Sequence, residues 1–145
     1  MYWCVILISC LPTNRYRDVN YVNVASPKDT GRASLRMALL GAVRFGKPIV
    51  FDLLDVDLWD VLTEKLDAIQ AGLMDSLMNK AVLHKDCYER LIRPEDGEQY
   101  QPVCFTEDRL EKFRCFFITT SRFPDPEMVE QCYSIEVIPQ PSLPS

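Results

Sequence analysis

The sequence predicts an α/β domain in which helices flank a parallel sheet, and three observations carry that prediction. The stretch Leu35–Leu62 (LRMALLGAVRFGKPIVFDLLDVDLWDVL) passes from an amphipathic helix through a glycine stop into an apolar strand and then a second helix. Its strand, Ile49–Leu54, is apolar on both faces, as a central strand of a parallel sheet must be. A second run of this kind, Phe113–Thr120 (FRCFFITT), follows after further helical sequence. Strands alternating with helices imply right-handed crossovers and parallel pairing.

The chain has 145 residues, enough for one domain that buries roughly two thirds of its unfolded surface. A hydrophobic share of 48% and a charged share of 26% belong to an ordinary globular composition. The net charge of −5 disfavours nucleic acid and anionic membrane surfaces as partners, since both call for clustered Lys and Arg. Six cysteines occur, at 4, 10, 87, 104, 115 and 132. With no CxxC pair and His84 as the only histidine, a zinc site is not expected, and free buried thiols are. The apolar start, MYWCVILISCLP, lacks a basic leader and is shorter than the roughly 20 residues that span a bilayer.

The elements follow in order. Trp3–Cys10 reads as a first strand, within a segment 1–20 that is either strand-like or an alternative start. Tyr21–Ala25 reads as a second, short strand. Ser26-Pro27 is patterned as a helix N-cap with Pro at the first position, and the helix buries Leu35, Leu39, Ala42, Val43 and Phe45 before Gly46 caps it. Arg32, Arg36 and Arg44 are placed away from that side. After Ile49–Leu54, Asp57 is positioned to cap a helix in which Leu58, Leu62, Leu66, Ile69, Leu73 and Leu77 recur at helical period, ending near Asn79. Residues 81–104 are irregular, with a short helix at Cys87–Ile92 and a turn at Arg93–Gly97. Beyond Phe113–Thr120 come a loop to Pro126, a short helix Glu127–Gln131 and a last strand Tyr133–Ile138. The end, 139–145, is Pro and Ser rich and is expected to be disordered.

Two strands end in groups with chemical potential. Asp52 closes one, with Asp55 and Asp57 after it; Thr119 and Thr120 close the other. Ligands of open α/β sheets gather at that carboxyl edge. In a nucleotide hydrolase the acid would organise magnesium and the hydroxyls would sense the γ-phosphate or orient water. The same residues also have a purely structural use, in capping and strand termination. The missing piece is the phosphate clamp: there is no GxxxxGK[ST], and Gly46-Lys47 runs into Pro48. Phosphoryl transfer depends on positioning and charge neutralisation, so carboxylates without that clamp have little to act on. Ser34, Ser76 and Ser121 lack the GxSxG setting of a hydrolase nucleophile.

The run LRMALLGAVRFGKPIVFD with LDVDLWDVL, followed by FRCFFITTSRFPDPEMVEQCYSIEV, resembles an AAA+ module late in the ring of dynein heavy chain motors. The resemblance is collinear over about Tyr21–Ile138, with a longer segment between Asn79 and Phe113. The chain also resembles the C-terminal part of IQ motif and ankyrin repeat proteins that carry such a segment. The dynein resemblance implies a three-layer P-loop NTPase-like (AAA+) fold over 21–138, here incomplete and lacking the phosphate-binding loop. It sets Asp52 at the Walker B-like strand end and Thr119 and Thr120 at sensor-like threonines. It implies a non-hydrolysing structural or protein-interaction module, with protein partners and a cytoplasmic, cytoskeletal or ciliary location. The alternative it leaves open is an ATP- or ADP-binding module, with magnesium, in a microtubule motor-related assembly. No arginine occurs in Glu127–Gln131, where an AAA+ arginine finger would be expected.

Overall fold

The computed structural model describes residues 19–136, and the backbone of 4–8. The expected extensions of the first strand to Trp3 and Cys10 and of the last to Ile138, the thiols of Cys4 and Cys10, and the 139–145 tail lie outside the described residues. Five parallel strands form one sheet in the order β2-β3-β4-β1-β5: β1 (Cys4–Ile8), β2 (Asn20–Asn23), β3 (Pro48–Asp52), β4 (Arg114–Thr119) and β5 (Tyr133–Glu136). The predicted α/β class and parallel pairing are therefore present. The middle strand is β4; β3, expected at the centre, lies one place from the β2 edge. The aromatic, β-branched run FRCFFITT occupies that middle position, paired with β3 and β1.

Among the described residues six helices accompany the sheet: α1 (Arg32–Phe45), α2 (Trp59–Ile69), α3 (Leu73–Met78), α4 (Lys85–Tyr88), α5 (Glu107–Leu110) and α6 (Pro126–Gln131). They share one core with alternate strand residues. Val22, Ile49, Phe51, Cys115 and Phe117 point into it, against Leu35, Leu39 and Val43 of α1, Trp59, Leu62 and Leu66 of α2, Leu73 and Leu77 of α3, and Met128 of α6. Burial of each large apolar side chain of this kind is worth about 1.5–3 kcal/mol. At the centre Phe117 stacks on Phe51 with ring centroids 5.5 Å apart and receives Trp59 edge-on at 5.1 Å. Among the described residues, helices meet the sheet through this one core, so two layers of the expected three are seen.

The strand ends and the start of α6 shift by one or two residues from the sequence prediction, and three helical segments differ by more, each for a local reason. Helix α1 begins at Arg32, not at Ser26-Pro27. Ser26 does accept a backbone N–H, from Asp29 at 3.4 Å, and Thr30 bonds back to the Ser26 carbonyl at 2.9 Å. Asp29 also reaches back to the N–H of Asn23 at 3.0 Å, and this closes a single turn that does not propagate. The long leucine helix is broken into α2 and α3 at Gly72, which adopts a left-handed φ of 75°. Asp67 bridges the break by accepting the N–H of Met74 at 3.1 Å, so Leu62, Leu66, Ile69, Leu73 and Leu77 still face the core. The helix expected at Cys87–Ile92 is α4 followed by a 3-10 turn at Glu89–Leu91.

The irregular segment between α3 and β4 combines α4 and α5 with short 3-10 turns, and an ion pair with well-covered side chains ties it to α1. Arg36 of α1 forks onto Asp96, with Nη1 2.7 Å from Oδ2 and Nη2 2.8 Å from Oδ1, and Nη1 also donates to the Leu91 carbonyl at 2.8 Å. Asp96 additionally accepts the N–H of Arg93 at 2.6 Å. Arg36, expected away from the apolar side of α1, is buried, whereas Phe45, expected on that side, is exposed at the helix end. Arg36 lies four residues before Leu40 and seven before Val43, so helical spacing sets it on the apolar stripe itself. Cys115 is buried as expected, whereas Cys87, Cys104 and Cys132 are half-buried.

Candidate functional site

Register sets the two chemically loaded strand ends side by side. In the β3–β4 pair Asp52 lies opposite Ile118, so Thr119 and Thr120 follow next to the chain that leaves β3. That departing chain turns sharply at Leu54, whose φ of 57° is left-handed and is uncommon for a residue with a branched side chain. Every sequence-predicted group that meets here meets at Leu54. Asp52 accepts the Leu54 N–H on Oδ1 at 3.0 Å. Thr119 donates its hydroxyl to the Leu54 carbonyl at 3.1 Å, and the Thr120 N–H reaches the same oxygen at 2.8 Å. The Leu53 N–H continues the ladder to the Ile118 carbonyl at 2.8 Å.

The remaining capacity of these groups is also directed inward. Asp52 is buried, and its Oδ2 accepts the phenol of Tyr21 from the neighbouring strand β2. The Asp52 carbonyl takes the N–H of Val24 at 3.0 Å. Thr119, also buried, accepts the N–H of Ser121 on its hydroxyl at 3.1 Å. Both oxygens of the acid and the hydroxyl of Thr119 thus have backbone or side-chain partners within the domain.

The other sequence-predicted residues are not drawn into this clasp. Asp55 and Asp57 are exposed on the loop between β3 and α2. Asp57 accepts the N–H of Trp59 at 3.3 Å, but the N-cap of α2 is Leu58, without a side-chain cap bond, so Asp57 stands one residue before the capping position expected of it. The Thr120 side chain is exposed, and only its backbone takes part. His84 is exposed, as its polar neighbours suggest.

The crevice at this carboxyl edge is nearly filled. Leu53, Leu58, Trp59, Thr119, Pro124 and Met128 are among its lining, and the space they leave is about 10 Å³. That is room for about one water molecule. A larger hollow, of about 530 Å³, lies among Ile92, Arg93, Pro94, Tyr100 and Pro102, and holds none of the sequence-predicted site residues. Among the described residues no three His, Cys, Asp or Glu side chains come together as a metal site, and no helix is long and apolar enough to cross a membrane.

Sequence reasoning missed the residues that complete this arrangement. Tyr21 is a strand residue with no mark of an acid partner, and a left-handed Leu54 carries no sequence signal, since Gly or Asn would be expected there. The outer rim was missed as well. Phe123, 89% exposed, and Val56, 50% exposed, flank the filled crevice from its two loops. No protein-family model matches the chain, and no solved structure matches it either.

Proposed function

We propose that this chain is a non-catalytic α/β module of the dynein-like AAA+ type, acting as a structural or protein-interaction element. The observation that carries the reading is the clasp at Leu54. The acid and the hydroxyl that a nucleotide hydrolase would turn toward magnesium and phosphate are here bonded to Leu54, with Tyr21 holding the second oxygen of Asp52. The sequence adds the missing GK[ST] clamp, and the crevice adds a volume of about 10 Å³. On this reading the partners are proteins, and the location is cytoplasmic, cytoskeletal or ciliary.

A second reading has one observation in its favour. Asp52 and Thr119 end adjacent parallel strands at the edge where α/β folds take ligands. An ATP- or ADP-binding module, with magnesium, would use that edge in a microtubule motor-related assembly after releasing Leu54. Calorimetric titration with ATP-Mg and with ADP up to millimolar concentration, together with a turnover assay, separates the two. No binding heat, no thermal shift and no phosphate release are expected. Turnover that Asp52→Asn abolishes would overturn the first reading.

A further inference from the structure

We propose that the rim of the carboxyl edge is a docking surface for a basic amphipathic segment of a partner protein, with one large apolar side chain packed over the exposed Val56 and Phe123. The proposal rests on the reading of this chain as an interaction module and names the partner's chemistry. Among the described residues two loops build the rim: 53–58 after β3, and 120–125 after β4. The Leu54 clasp zips them together through the Thr119 hydroxyl and the Thr120 N–H. Their relative position is therefore fixed before any partner arrives, which lowers the ordering cost of binding.

The rim is apolar where it is most exposed. Phe123 has 89% of its surface in solvent and Val56 has 50%, and both border the crevice whose floor includes Leu53, Leu58 and Met128. An aromatic side chain left this open on a soluble face forfeits burial worth about 1.5–3 kcal/mol, which a partner can recover. The charge around it specifies what that partner must carry. Among the described residues, exposed Asp55, Asp57, Asp60 and Glu127 and half-buried Asp125 belong to the two loops and the helix starts they feed, against one exposed cation, Arg122. Asp125 is partly used in capping α6, where it accepts the N–H of Glu127 at 2.8 Å, yet its charge remains. A second copy of this chain is the poorer occupant, because each copy carries −5 and would bring more acid to the rim. Lys or Arg on either side of an apolar anchor complements both features at once.

The test uses the full chain and a synthetic 14-residue Lys/Leu peptide of helical period, fluorescently labelled, with a Glu/Leu peptide of the same pattern beside it. Fluorescence anisotropy is expected to give saturable binding of the Lys/Leu peptide and none of the Glu/Leu peptide. Phe123→Ser is expected to weaken binding roughly tenfold, within the range for an interface anchor, without moving the thermal transition of a residue so exposed. Asp55→Asn/Asp57→Asn is expected to weaken it less and to reduce its salt dependence. Binding unchanged by Phe123→Ser, or equal for the two peptides, overturns the proposal. A chain that dimerises in sedimentation, with the dimer lost in Phe123→Ser, also overturns it by assigning the rim to a second copy. None of these outcomes depends on ATP, so failure here stays distinct from failure of the non-catalytic reading, which nucleotide turnover alone decides.

Discussion

Asp52 and Thr119 hold the two backbone ends of the same residue. Asp52 takes the N–H of Leu54 at 3.0 Å, and Thr119 gives its hydroxyl to the Leu54 carbonyl at 3.1 Å. A left-handed leucine costs about 1–2 kcal/mol of conformational energy, and it persists because neighbouring groups over-determine it. The groups that would do chemistry in a hydrolase are thereby committed to a turn.

That commitment is measurable as stability. Asp52→Ala removes the partner of the Leu54 N–H and leaves the Tyr21 phenol without the carboxylate it donates to. A loss of about 2–3 kcal/mol is expected in urea unfolding, with two charge-assisted hydrogen bonds gone. Asp52→Asn keeps an oxygen for Leu54 and is expected to lose about half as much. Equal stability of the wild type and Asp52→Ala would mean the clasp contributes nothing.

Arg36 and Asp96 join α1 to the 3-10 segment across 60 residues of sequence, with side chains 10% and 3% exposed. Removing one partner strands the other. Arg36→Ala is expected to cost about 2–3 kcal/mol, through the lost bidentate pair and the orphaned Leu91 carbonyl. Amide hydrogen exchange should localise the effect, with protection falling around 89–104 before it falls in β3 and β4. A uniform loss across the domain would contradict a local tether.

The same pair sets the acid limb of stability. The hydrogen bond from the Arg36 guanidinium, above all, holds the Asp96 carboxyl below the ordinary carboxylate range; burial works against it. The folded state therefore keeps Asp96 charged at a pH where the unfolded chain has begun to protonate it, near 4. The contribution is complete above that pH and is lost as pH falls through the lower folded value, because unfolding then takes up a proton. Denaturation midpoints from pH 7 down to 3 should fall less steeply for Asp96→Asn than for wild type. Parallel curves would show that Asp96 is not among the groups that titrate on unfolding.

The fold was legible where periodicity and strand composition agree. Ile49, Phe51, Phe113, Cys115, Phe117 and the leucine stripe from Leu62 to Leu77 all face the core, because burial enforces a repeat that sequence displays. The juxtaposition of Asp52 with Thr119 was legible too, as two strand ends of one parallel sheet. What those residues bond to was not. Leu54 adopts a conformation its side chain disfavours, and Tyr21 reaches Asp52 from a strand 31 positions earlier. Such contacts depend on register and turn geometry, which no local pattern records. The break at Gly72 was hidden for the opposite reason: the leucines keep their period straight through it.

Gly46 and Gly72 separate two costs that helix-terminal glycines usually combine. Both are left-handed, with φ of 67° and 75°. A Cβ at Gly72 would meet nothing within 4 Å, whereas one at Gly46 would lie 2.6 Å from the Arg109 carbonyl oxygen, a backbone atom of α5. Gly72→Ala should therefore cost only the left-handed penalty, about 1–2 kcal/mol. Gly46→Ala must also push α5 away from the end of α1, where the Gly46 N–H bonds to the Ala42 carbonyl. A loss of about 3 kcal/mol or more is expected there, by analogy with overpacked cores. Chemical denaturation of the two variants side by side decides it. Matching losses would show that α5 yields freely, and that the contact between Gly46 and Arg109 places no constraint on the fold.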